Sequence, residues 1–142
     1  MGLIVTELRS TLARLGLSAE ELSPPQLRPL LEEIQGRFLA PGGEGRLWER
    51  MRDEVSVQDP EAWRWIASVP LSGRAILLFE EREEVAGFAF GSMAEVVRTL
   101  AESTGFEFYV TDESTRFLLA FNHHDYLCAA GDAAEWLRAL RP

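Results

Sequence analysis

Phe121-Asn122-His123-His124-Asp125-Tyr126 gathers both histidines of the chain and its only asparagine. Imidazole titrates near neutral pH and is the commonest general base, and a nearby carboxylate can hold it in the working tautomer. Imidazole and carboxylate are also metal donors. Two chemistries follow. One is proton abstraction by His123 or His124 beside Asp125. The other is metal-assisted hydrolysis, with further carboxylates drawn from Asp112, Glu107 or Asp125. Donor counting disfavours the metal. A centre takes three or four donors from several elements, and adjacent residues of an extended segment point to opposite sides. The chain has no third histidine. There is no G-x-S-x-G, G-x-x-x-x-G-K, G-x-G-x-x-G, H-E-x-x-H or C-x-x-C. No metal and no cofactor is therefore expected. Asn and Asp also favour tight turns, because their side chains replace backbone partners. The first reading of the segment is thus a hairpin turn. A partner contact through Asn122, His123, His124 and Asp125 comes second, and catalysis by His123, His124 and Asp125 third.

Other reactive or sticky side chains have plainer readings. Cys128 lies in Tyr126-Leu127-Cys128-Ala129-Ala130 and reads as a small core residue rather than a nucleophile. Trp48, Trp63 and Trp65 can pack between layers or anchor a partner. Residues two apart on a helix do not share a face, so Trp63 and Trp65 diverge, and Trp65 is the expected partner contact. Glu80, Glu81, Glu83 and Glu84 form a charged hairpin tip or strand edge that discourages aggregation, with an arginine-rich partner as the sharper alternative.

The elements that must position these groups fall into two halves. In the first, Leu8, Leu12 and Leu15 make one helical stripe that Gly16 ends. Ser18-x-x-Glu21 reads as a capping box for a short turn. Ser23-Pro24-Pro25 opens a second helix that buries Leu27, Leu30, Leu31 and Ile34, with Pro29 marking either a true start at residue 28 or a kink. Residues 41–45 read as a mobile loop. A short helix over Arg46–Arg52 would set Trp48 and Met51 on one side. Asp59-Pro60 caps another that carries Trp63, Ile66 and Ala67 on one face.

The period then changes. Ala75–Phe79 and Val85–Phe90 read as strands. Ser92-x-x-Glu95 opens a helix that buries Val96, Val97, Leu100 and Ala101, with Gly105 at its end. Phe106, Phe108 and Val110 alternate with Glu107, Tyr109 and Thr111, as in a strand with one buried face. Phe117–Phe121 and Tyr126–Ala129 follow as strands. Asp132 caps a last helix with Trp136, Leu137 and Leu140 inward. The expected class is α+β: a helical half over about 1–70, then ββαββ(β)α over about 71–142. That gives one domain over 1–142 with a four- to five-stranded, largely antiparallel sheet and helices on one face.

The 142 residues carry 14 Lys plus Arg against 23 Asp plus Glu, a net charge of −9, and every basic residue is arginine. Such a chain repels phosphate backbones, so direct nucleic-acid binding is not expected, whereas a basic protein would be attracted. No apolar run reaches membrane-spanning length, and the N-terminus lacks the pattern of a secretory signal, so no membrane partner and a cytoplasmic location are expected. One cysteine allows no internal disulfide.

From about Trp63 to Trp136 the chain resembles a group of small bacterial proteins. The resemblance rests on Ala75-Ile76-Leu77-Leu78-Phe79-Glu80, Phe106-Glu107-Phe108-Tyr109-Val110-Thr111-Asp112, Phe121-Asn122-His123-His124-Asp125-Tyr126-Leu127 and the Gly131…Trp136 ending. That group is similar to the immunity proteins that accompany bacterial toxins, and it brings no catalytic motif. Taken with the net acidity and the absence of enzyme motifs, the resemblance leads to the expectation of a non-enzymatic cytoplasmic binding protein, of immunity type, that masks a basic partner with an acidic surface. The alternatives are a metal-assisted or general-base hydrolase built on His123, His124 and Asp125, and a structural domain that forms a homo-oligomer.

Overall fold

The computed structural model describes residues 2–42, 45–81, 84–103 and 105–140. In chain order the elements are α1 (Leu3–Leu15), β1 (Glu20–Glu21), α2 (Pro24–Phe38), a 3-10 helix (Leu47–Glu49), β2 (Val55–Gln58), a second 3-10 helix (Ala62–Ser68), β3 (Ala75–Glu81), β4 (Glu84–Phe90), α3 (Met93–Ala101), β5 (Phe108–Asp112), β6 (Phe117–Phe121), β7 (Tyr126–Gly131) and α4 (Ala133–Leu140). The class is α+β. All seven strands join one antiparallel sheet in the order β1-β4-β3-β5-β6-β7-β2. Among the described residues no helix is long and apolar enough to cross a membrane.

Two expectations change. The sheet has seven strands rather than four or five, because the helical half donates both edges. The supposed capping box ends in β1, whose Glu20 and Glu21 lie opposite Ala89 and Phe88. A two-residue strand is too short to show a period. β2 pairs with β7, with Val55 opposite Ala129 and Val57 opposite Leu127.

Helices also cover both faces of the sheet, not one. Leu77, Phe79, Phe88, Phe90, Val110, Leu119 and Leu127 pack under α1, α3, α4 and the second 3-10 helix through Leu8, Ile66, Val96 and Leu137. On the other face Ile76, Leu78, Tyr109, Leu118 and Cys128 pack under α2 and the first 3-10 helix through Leu27, Ile34, Phe38 and Leu47. β5 is therefore buried at every position, Tyr109 and Thr111 included. It begins at Phe108, two residues later than expected.

Local signals fare unevenly. Gly16 ends α1 in the left-handed region, at φ 68°. Ser92 Oγ accepts from Glu95 N at 3.2 Å and caps α3, but Ala101 is exposed. α2 starts at Pro24 and runs through Pro29, which sits on its exposed side. Asp59 Oδ1 accepts from Glu61 N at 2.8 Å, closing a turn ahead of the helix rather than capping it; the helix is 3-10, begins at Ala62 and has Glu61 at its N-cap with no side-chain cap bond. The helix expected over 46–52 shrinks to Leu47–Glu49, and Met51 bridges to Leu39 instead. Leu140 is exposed rather than inward. Gly43 and Glu44 of the expected loop, and Arg82 and Glu83 of the charged run, lie outside the described residues.

Gly131, at φ 71°, closes β7 where a Cβ would stand 2.5 Å from Arg116 O and 2.6 Å from Phe38 Cε1. Gly131→Ala combines backbone strain with overpacking and should cost about 3 kcal/mol. Gly36, inside α2 with open space around it, should gain about 0.5 kcal/mol on replacement by Ala. Urea unfolding of the two variants should show midpoints moved in opposite directions.

Candidate functional site

β6 and β7 are joined through Asn122-His123-His124-Asp125. Asp125 N donates to Asn122 O at 3.0 Å and Asn122 N donates to Tyr126 O at 3.1 Å. Asp125 takes a left-handed φ of 64°. This is a type I turn closed by a left-handed residue, a common three-residue hairpin link. The buried Asn122 fixes it, since Oδ1 accepts from His124 N at 2.9 Å and Tyr126 N at 3.2 Å. Asn122 is thus spent on the turn and faces inward, whereas His123, His124 and Asp125 are exposed.

The histidines do not bind the turn's own backbone. They lean on groups from elsewhere. Glu107, just before β5, lies on the strand face that carries Tyr109, under the first 3-10 helix. Its carboxylate accepts from His123 N at 2.9 Å and from Trp48 Nε1 at 3.3 Å, and it bonds His123 Nδ1 and Arg46 Nη1 more tightly still. The Trp48 ring meets both imidazoles edge-on, each at 6.2 Å between centroids. The two imidazoles are 3.9 Å apart.

Burial pushes the Glu107 carboxyl up. Hydrogen bonds from the His123 backbone, the His123 ring and Arg46 outweigh it, and the net result lies below the ordinary carboxylate range. An ionised carboxylate only accepts, so the Glu107 bond puts the His123 ring proton on Nδ1. Nε2 then carries the free lone pair of the neutral ring.

Beside the turn, Trp63, Leu100, Phe106, Phe108 and Phe121 line a half-open cavity of about 460 Å³ with His123, Asn122 and Asp125 at its rim. Trp63 therefore belongs to the site. Trp65 points away, into a separate cavity with Val57 and Leu140, so the divergence of the two indoles holds.

Other expected participants are elsewhere. Asp112 is buried at the far end of β5, where it accepts from Ser72 N and Arg116 N at 3.0 Å each. It closes the β5–β6 hairpin and does not reach the histidines. Among the described residues no three His, Cys, Asp or Glu side chains are grouped to hold a metal. Cys128 is buried between β6 and β2, and burial pushes its thiol up to about 12, so it is not a nucleophile at neutral pH. Glu80 turns inward to accept from Leu47 N at 3.1 Å and from Tyr109 Oη.

Sequence reasoning missed Arg46 and Trp48 as partners of Glu107 beside the turn, and Glu80 and Tyr109 as the groups that hold the Leu47–Trp48 backbone. Strand parity was the available signal for Glu107 with Tyr109. Nothing in the pattern tied Arg46 and Trp48 to them. No protein-family model, curated protein or solved structure matches the chain.

A carboxylate held below its unfolded value stabilises the fold above the unfolded pKa of about 4.3, and that contribution disappears as pH falls through the lower folded value. Wild type should therefore exceed Glu107→Gln in stability at pH 6, and the gap should close towards pH 3. Chemical denaturation at stepped pH measures it. In the same assay Asn122→Ala should cost about 2 kcal/mol at every pH, since two backbone donors lose their acceptor.

Proposed function

We propose that this protein is a non-enzymatic binding protein that receives a basic protein partner on the end of the sheet formed by β2 and the His123–Asp125 turn. One observation supports this above the rest. Seven arginines are already in ion pairs with carboxylates, and four acids outside those pairs flank the edge strand β2 and the turn beside it. Asp53, Glu54, Asp59 and Asp125, at the two ends of β2 and on the turn, make no ion pair among the described residues. Of the nearby arginines, Arg64 is taken by Glu61 and lies over the Trp63 ring at 4.6 Å, while Arg50 and Arg52 turn to the α2 end, Arg50 to Gln35 Oε1 at 3.3 Å and Arg52 to Gly36 O at 2.7 Å. Field lines from this end of the molecule thus attract a basic surface, and the half-exposed aromatics supply contact area once it arrives. Masking of an active site, as an immunity protein would do, fits this arrangement. A cytoplasmic location belongs to the same proposal.

Replacing the four acids with their amides (Asp53→Asn, Glu54→Gln, Asp59→Asn, Asp125→Asn) keeps their shape and the acceptor that Asp59 offers to Glu61 N. Immobilised wild type should retain a specific basic protein from its native host. The purified pair should bind with a steep salt dependence, and the amide variant should bind at least 10-fold more weakly. Equal retention by both proteins, or an acidic partner, contradicts the proposal.

The Glu107–His123 pair gives a second reading its one specific support. An imidazole oriented by a carboxylate, with Nε2 unengaged and the ring at the rim of an aromatic cavity, is the geometry of a general base. That reading expects slow turnover of p-nitrophenyl acetate, at least 100-fold reduced in His123→Ala and reduced in Glu107→Gln. Turnover equal in wild type and both variants rejects it.

A further inference from the structure

The two edges of the sheet are treated differently. On the β4 side, β1 covers Phe88 and Ala89, and its glutamates are closed off by Arg9 and Arg74. On the other side β2 pairs with β7 and, among the described residues, ends the sheet. Asp59 N donates to Asp125 O at 2.9 Å, so Asp59 points its N–H at the β7 side. Backbone groups alternate along a strand, so Val57 and Val55 do the same, and Ser56 and Gln58 turn their N–H and C=O groups outward. Both residues are exposed. β2 holds no proline and no lysine, the usual guards of an open edge.

Apolar side chains flank this edge above and below. Of the three large hydrophobic residues exposed among those described, two adjoin β2: Leu140, 42% exposed, and Tyr126, 37% exposed. Leu140 lines a cavity of about 510 Å³ with Val57 and Trp65 on one face of the sheet. Tyr126 sits opposite Gln58 on the other face.

Charge selects the occupant. Asp53 and Glu54 stand before β2, and Asp59 and Asp125 stand at its far end. A second copy added antiparallel would bring the Glu54 end of one chain against the Asp59 end of the other, acid to acid. A basic strand meets carboxylates at both ends instead, with Arg52 beside Asp53 turned back to Gly36 O at 2.7 Å. From Glu54 to Asp59 is five steps of about 3.3 Å, so a segment of about six residues spans both acidic ends.

We propose that β2 is the docking edge for an extended, arginine- or lysine-bearing segment of a partner protein, which joins the sheet as a further strand. The segment exchanges backbone hydrogen bonds with Ser56 and Gln58. Alternate side chains rest on Val57, Trp65 and Leu140, and the other set passes Tyr126 towards the carboxylates. This is recognition by strand addition, in which the backbone supplies affinity and alternate pockets supply selectivity. It rests on the proposed binding of a basic partner and states the form that partner takes.

The test uses the full chain and a fluorescent peptide, Arg-Val-Arg-Val-Arg-Val-Arg, followed by anisotropy. A second peptide carries N-methyl groups on alternate residues, which remove edge hydrogen bonds and leave the charge intact. Ser56→Pro removes an outward N–H while sparing the inward ladder. The unmodified peptide should bind at least 10-fold more tightly than the N-methyl peptide, and Ser56→Pro should abolish that preference. Amide exchange at Ser56 and Gln58 should slow in the complex. Equal binding of the two peptides, or none of either, overturns strand addition. Equal binding that is lost in the four-amide variant leaves the basic-partner reading standing alone. Binding unchanged in that variant removes both. A wild-type dimer that Ser56→Pro dissociates assigns the edge to a second copy and likewise overturns the proposal.

Discussion

β3, β5 and β6 are buried between two helical layers, and that constraint sends the polar side chains of the central sheet to strand ends. An unpaired carboxylate or amide between the layers would cost several kcal/mol, of order 1–3 for a neutral group and more for a charge. Thr111 stays in the interior because its hydroxyl reaches Phe117 O at 2.6 Å. Asp112 lies at one end of β5 and Glu107 just outside the other, while Glu80 and Asn122 lie at the ends of β3 and β6. Each of these four meets donors from a loop or a short helix. The polar clusters at the two ends of the sheet are a by-product of filling its middle.

Those clusters differ in what they leave over. At the Asp112 end the carboxylate is consumed by two backbone N–H groups, and the neighbouring Glu113 is closed by Arg74. At the Glu107 end the carboxylate is consumed as well, but its partners are the exposed Arg46 and His123 and the half-exposed Trp48, which keep part of their surface in solvent. Satisfying Glu107 thus costs no surface chemistry. It displays His123 and His124 in a set orientation against Trp48, and it lets the first 3-10 helix lock onto the sheet through Arg46 and the Trp48 indole.

Legibility followed the same physics. The strands β3 to β7 and the helices α1, α3 and α4 were readable because each carries a full period of apolar residues and a stop or cap, such as Gly16 or Ser92. The Asn122 turn was readable from residue type alone. What stayed hidden was non-local. A two-residue β1 and a four-residue β2 have no periodicity to detect, so both edges were missed. The second buried face was missed because Tyr109 and Thr111 are amphipathic and pass for the wet side of a strand. Glu107 was seen only as a possible metal donor. Its role depends on Arg46 and Trp48, which arrive from about 60 positions away in sequence, beyond any local pattern.

The turn and the β2 edge are mechanically one object. Gln58 Nε2 donates to His124 O at 3.2 Å and Asp59 N donates to Asp125 O, so the backbone of the histidine turn buttresses the end of β2. The turn is in turn pinned from behind by Asn122 and from the side by Glu107. A four-residue edge strand on its own would fray, because it gains few ladder bonds for the chain entropy it gives up. Held at Asp59 by the turn and at Val55 by burial against the core, it keeps its outward hydrogen-bonding groups in line. Histidines that suggest acid–base chemistry when read along the chain thus sit on the scaffold that holds the β2 edge in place.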